Sequence, residues 1–281
     1  MRSKNKSVKK TVCVALFCLF VLALILYELI LKHKLFTTLG EWEKGMTDML
    51  ITRALGGGIF LVFTVYLGYR VLNPIVKPVE KNILYILPAL VIAINNLPII
   101  PLVAGRSEIT AGWDRIILLF LECMAIGFFE EMAFRSVIML GIMEGRRSTR
   151  KDILISILLS SAIFGLVHIV NIFISPSVMV VLQILYSALI GGMCAIVLLL
   201  TRNIWACVML HGLFNFFGAL IGECGKGRGF FDDIPTQILT ALIAIAVIVI
   251  YVWLFCRFDI SSTDDFYKEK SKKTRIFIDE H

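Results

Sequence analysis

The chain has 281 residues, 58% of them hydrophobic and only 17% charged, with a formal net charge of +7. A soluble domain carries roughly a quarter charged residues; here the charges gather between apolar runs of about 20 residues, the length that crosses a bilayer, which excludes an ordinary soluble protein. Polar–apolar alternation is absent, which excludes a membrane β-barrel, and backbone groups in lipid must bond internally, so the runs predict helices.

Eight spans are expected, making an all-α polytopic membrane protein. The first covers about 11–31. Its basic start (Arg2, Lys4, Lys6, Lys9, Lys10) resembles that of a signal peptide. The apolar run is too long for one and has no small-x-small cleavage site, so a retained anchor is expected. The second span covers about 54–73, after the Gly56-Gly57-Gly58 opening, and the third about 83–103, interrupted by Asn95-Asn96-Leu97-Pro98. The fourth is long, about 115–143. The rest cover about 152–172, 178–200, 203–222 and 235–257. No internal repeat is found. The reading is a basic arm (1–10), one membrane domain (11–257) and a charged tail (258–281).

Lys and Arg concentrate on the cytoplasmic side of membrane proteins. With the N-terminus inside, nineteen fall in cytoplasmic segments and eight in outer ones, with Arg135 left within the fourth span. Both termini are therefore expected in the cytoplasm. The positive charge is the topology signal, aided by anionic lipid, and requires no nucleic-acid partner. The tail cations Lys268, Lys270, Lys272, Lys273 and Arg275 either lie on anionic lipid or form a solvated stop-transfer flank. Of seven cysteines, six lie in apolar spans and none forms a C-x-x-C pair, so neither a disulfide framework nor a zinc knuckle is expected.

An ionisable residue in the hydrocarbon core costs at least ~2.5 kcal/mol and points to function. The fourth span holds Glu122, Glu130, Glu131 and Arg135. Glu131 and Arg135 are four apart and can pair on one face. Glu130 points about 100° away, without a partner on its own helix; a lone buried carboxylate suits a general base or acid. Glu122, two turns outward, either lines an access path or snorkels. The fifth span holds Phe164, His168 and Asn171; the seventh holds His211 and, one turn on, Asn215. Counted from the cytoplasmic ends, Glu130, His168 and His211 lie about 20, 25 and 14 Å deep, so they can reach one cavity.

Glu130-Glu131-Met132-Ala133-Phe134-Arg135, Phe164-Gly165-Leu166-Val167-His168 and His211-Gly212-Leu213-Phe214-Asn215, in that order on membrane helices, resemble the motifs of the CAAX protease and bacteriocin-processing (Abi) family. These are relatives of the type II CAAX prenyl endopeptidase. The resemblance covers about 95 residues within a core of about 115–222; the first three spans carry no family signature. It implies eight helices and an intramembrane endopeptidase acting on a membrane-associated peptide or protein. In that analogy Glu130 activates water, and Glu131 with Arg135 orients the site. His168 and His211 either bind a catalytic metal, such as Zn2+, or act directly on the transition state, and Asn215 helps hold the oxyanion. Two His and a Glu could complete a three-ligand zinc site, but Glu130 could not then also be a free base. No H-E-x-x-H, intramembrane Asp pair or G-x-S-x-G elbow offers another protease class.

Two rivals stand beside this reading. One is a small-solute transporter, for which the Asn95–Pro98 break would serve. The other is a non-catalytic immunity or regulatory scaffold of the same fold. A bacterial cell membrane is the expected location, or the ER membrane in a eukaryote, with bacteriocin immunity among the bacterial roles.

Overall fold

The computed structural model describes residues 38–72, 79–174, 178–229 and 233–267, with scattered residues between 8 and 27. The span expected at 11–31, most of the basic arm and the cations from Lys268 onward lie largely or wholly outside the described residues. The rest is an all-α membrane protein in which five described helices are long and apolar enough to cross a bilayer.

Helix α1 (Glu41–Leu67) starts earlier than the sequence suggested. It carries Glu41 and Glu43 in its first turn, where acids complement the helix dipole, and it runs straight through the three glycines. The reason is packing. A Cβ on Gly57 would stand 2.3 Å from the Phe128 ring, so the glycine is a contact surface rather than a helix opening. Gly68, in the left-handed region at φ 78°, ends the helix.

Helix α2 (Val79–Asn95) contains Pro88. Proline disturbs the ladder of the preceding turn. Here the hydroxyl of Tyr251 accepts from the Ala89 N–H (3.1 Å) and donates to the Tyr85 carbonyl (3.0 Å), which bridges the opened turn. The chain breaks at Asn96-Leu97-Pro98 and resumes as α3 (Ile99–Val103), so the expected interruption of the third span is present.

The fourth span is a rod of three pieces: α4 (Trp113–Glu131), a π-helical stretch (Met132–Met139) and α5 (Leu140–Met143). The fifth is α6 (Arg150–Val167), a 3-10 turn (His168–Val170) and α7 (Asn171–Ile174). Thr149 and Asp152 close a capping box at its start. Helices α8 (Val178–Thr201), α9 (Ile204–Cys224) and α10 (Ile234–Arg257) follow. Asn203 caps α9 and Asp233 caps α10. Within the bundle α4 packs between α1 and α9, and α6 packs on α8.

The loops sort onto two ends. At one, β1 (Ser107–Ile109) pairs antiparallel with β2 (Gly225–Gly227), with Glu108 opposite Lys226. Arg106 adds a 2.8 Å ion pair to Asp233. At the other end Ile204 N–H donates to the Val71 carbonyl (2.9 Å). There a 3-10 helix (Ile260–Phe266) is fastened by Arg147–Asp264 (2.8 Å) and Arg202–Asp265 (2.5 Å). Phe258 and Phe266 are buried. The start of the expected tail is therefore part of the folded body: its aromatic residues Phe258 and Phe266 find a core between loop ends.

Candidate active site

Three glycine contacts bring the site together. A Cβ on Gly127 of α4 would stand 2.8 Å from the Val208 carbonyl and 2.9 Å from the Gly212 nitrogen of α9, so the two helices touch backbone to backbone. This crossing lies one turn before Glu130 and one residue after His211. Gly165 of α6 meets the Ile184 carbonyl of α8 at 2.6 Å by the same measure, one turn before His168. Gly191 of α8 leaves room for Arg135, whose Nη2 would be 2.9 Å from a Cβ there.

The π-helical stretch begins immediately after Glu131. Such widened turns are rare and recur at functional sites. Side chains supply part of its bonding. The Ser136 hydroxyl reaches the Met132 carbonyl (2.5 Å) and Thr64 of α1 (2.6 Å), and the Ser160 hydroxyl donates to the Phe134 carbonyl (2.9 Å).

Within this frame Glu131 and Arg135 are fully buried, and Arg135 Nε lies 3.1 Å from Glu131 Oε2. The approach is off the hydrogen-bond direction, so the contact is ionic. The other Glu131 oxygen, Oε1, is 2.8 Å from His211 Nδ1. An ionised carboxylate only accepts, so Nδ1 carries the proton and Nε2 faces the other way. That Nε2 lies 3.3 Å from Glu130 Oε2. His211 is thus held between the two adjacent acids, with Glu130 the more exposed of them at 17% against 0%.

Phe164 is the hub. Its ring lies edge to face against His168 (5.3 Å) and His211 (5.6 Å), and the Arg135 guanidinium stacks 4.4 Å over it. His168 is half-buried, at the change from α-helix to 3-10 turn, and its Nδ1 is 3.0 Å from the Phe164 carbonyl. A carbonyl only accepts, so the His168 lone pair sits on Nε2. Asn215 is half-buried one turn beyond His211.

Two polar residues singled out in the sequence make their contacts elsewhere. Asn171, just after the 3-10 turn, donates to Gln183 of α8 (2.9 Å). Glu122 is buried beside Cys123, whose thiol donates to it at 3.3 Å. The sequence reading also missed contributors. The paired glycines carry a signal, since small residues in span interiors mark close helix crossings. Asn96, which donates to the Phe214 carbonyl at 2.7 Å, carries none beyond its place in a break.

The donor set can be tested against zinc, which needs three protein ligands in a catalytic site. Among the described residues no three His, Cys, Asp or Glu side chains form a group that could hold a metal. Glu131 is committed to Arg135 and to His211 Nδ1, and the expected set of Glu130, His168 and His211 is not gathered into such a group. Among the described residues no three-ligand centre is assembled, and no step below passes through a metal. The arrangement can instead move a proton at Glu130, fix the tautomer of an imidazole and exclude water with aromatic walls.

Residues 112–217 match the family model described as type II CAAX prenyl endopeptidase Rce1-like. The matched segment runs from the start of α4 into α9 and contains Glu130, Glu131, Arg135, His168, His211 and Asn215. No curated protein and no solved structure matches the chain.

Proposed function

We propose, from a core that belongs to the CAAX protease family, that this integral membrane protein is an endopeptidase whose base is Glu130. The observation that carries the reading is the chain of contacts Glu130–His211–Glu131–Arg135, closed by Phe164 across both histidines.

The steps follow from the donors and acceptors. A water bound between Glu130 and the His168 Nε2 lone pair gives a proton to Glu130 as its oxygen attacks the scissile carbonyl. The carbonyl becomes an oxyanion, which takes hydrogen bonds from the Asn215 amide and, when His211 is protonated, from its Nε2. Glu130 then returns the proton to the amide nitrogen, the C–N bond breaks, and an acid and an amine leave. Glu131 and Arg135 act through His211 by holding its ring. Enclosure among helices keeps bulk water from the charges.

The same reading extends to eight spans with both termini in the cytoplasm, a body at 11–257 with its peptidase part at about 115–222, and a membrane-associated peptide or protein as substrate. A bacterial cell membrane is the proposed setting. Zinc dependence is a separate proposal, read by adding a chelator or zinc to purified enzyme.

The deciding experiment compares the termini of membrane proteins, by mass spectrometry, in cells carrying wild type or Glu130→Gln at matched level. Termini that need Glu130 would establish the peptidase and name its substrates. With purified enzyme, Glu130→Gln is expected to lower kcat about 10²- to 10⁴-fold. Unchanged termini, with a wild-type phenotype still present, would turn the reading to a binding scaffold.

A further inference from the structure

The break after α2 takes no part in the proposed chemistry, yet it reaches the site. Asn95 and Asn96 are consecutive and point to different helices. Asn95 is buried and donates to the Thr240 hydroxyl of α10 at 2.5 Å. Asn96 donates through Nδ2 to the Phe214 carbonyl of α9 at 2.7 Å. That carbonyl belongs to the peptide unit whose nitrogen is that of Asn215. In a helix it also faces the N–H of residue 218, and a carbonyl has two lone pairs, so it can take both donors. Residue 218 is glycine. A Cβ there would lie 2.3 Å from Asn96 Nδ2, so the glycine is the opening through which the amide reaches the backbone. Leu97 and Pro98 then turn the chain into α3, and the two anchors hold the break between α10 and α9.

We propose that Asn96 is a positioning residue for Asn215: the break grips the peptide unit before Asn215 and sets the direction of its amide toward the space shared with His211. This rests on the peptidase reading for its effect on rate, though not for its effect on Asn215 itself. An oxyanion donor acts in the transition state, so misaiming it lowers kcat and leaves KM. A displacement of about 1 Å at such a group can cost up to about a hundredfold.

The test uses the full-length protein in detergent or nanodiscs. Asn96→Ala and Gly218→Ala, which attack the contact from opposite sides, should each lower kcat about tenfold or more with KM unchanged, and the double variant should be no worse than the stronger single. In an Asn215→Ala background Asn96→Ala should have no further effect. An undiminished Asn96→Ala defect in that background overturns the proposal, because Asn96 then acts on something else. A second readout needs no turnover. With 15N-labelled asparagine, the Asn215 side-chain signal, identified by its loss in Asn215→Ala, should move in both Asn96→Ala and Gly218→Ala. A signal that stays in place in either variant overturns the positioning. If the signal moves but the wild type cleaves nothing, the positioning stands and the peptidase reading is what fails.

Discussion

Arg135 is a guanidinium with no exposed surface, and its terminal nitrogens find no hydrogen-bond partner among the described residues. Its charge is met by Glu131 on one side and by the Phe164 face on the other. Removing one member of a buried pair leaves the other charge stranded, at about 3–5 kcal/mol. Arg135→Ala is therefore expected to lower the melting temperature markedly and to release His211, seen as lost activity. Arg135→Lys should keep the fold better and still lose activity, since an ammonium cannot stack flat on Phe164; thermal melts beside kcat separate the two. The four-residue spacing made the Glu131–Arg135 pair legible in the sequence. The His211–Glu131 contact was not, because it joins residues 80 apart and depends on how two helices cross. Glu130 was read as partnerless on its own helix; its neighbour, His211, comes from another.

At the scale of the helix, that crossing is decided by glycine. Gly127 meets backbone atoms of α9, which cannot rotate away as a side chain can. Gly127→Ala must push α4 and α9 apart, so it is expected to cost about 1–3 kcal/mol and to lengthen the His211–Glu131 contact with a fall in kcat. Gly58, which meets nothing within 4 Å among the described residues, is the control: Gly58→Ala is expected to be neutral or to stabilise by up to about 1 kcal/mol. Melting curves for both variants check the contrast. The described parts of the segments expected as second to eighth spans are mostly helical, and five of the described helices are long and apolar enough to cross a bilayer, because sustained hydropathy is a signal carried by the single chain. Adjacent glycines were misread as a helix opening since propensity sees the single chain and packing sees its neighbour. The π-helical stretch and the two-stranded ribbon left no periodic trace, being local answers to contacts made elsewhere.

For the whole molecule, the two ends are fastened by different means. The ribbon end hangs on Asp233. Hydrogen bonds from the Thr236 hydroxyl (2.7 Å) and backbone N–H (3.1 Å), with Arg106 beside them, hold its carboxyl below the usual carboxylate range. A carboxyl lowered in the folded state adds stability above its unfolded value, near 3.9, and loses it as pH falls through the lowered folded value. Melting temperature followed from pH 7 down to about 3 should show this acid loss in wild type and less of it in Asp233→Asn. The opposite end is closed by the 3-10 helix after α10, whose Asp264 and Asp265 meet Arg147 and Arg202. The charge count grouped those arginine segments on one side from sequence alone, and they do meet at one end of the bundle. That the tail itself supplies the acids was hidden, because charge counting treats a tail as solvent. The distance along the chain between Glu131 and His211 has one more consequence, which concerns time rather than space. A ribosome that has made the acids must still make α6, α8 and the first two turns of α9 before His211 arrives to meet them. Every shorter nascent chain carries the base without its companion, so on the proposed chemistry the unfinished protein is harmless to the membrane into which it is being threaded.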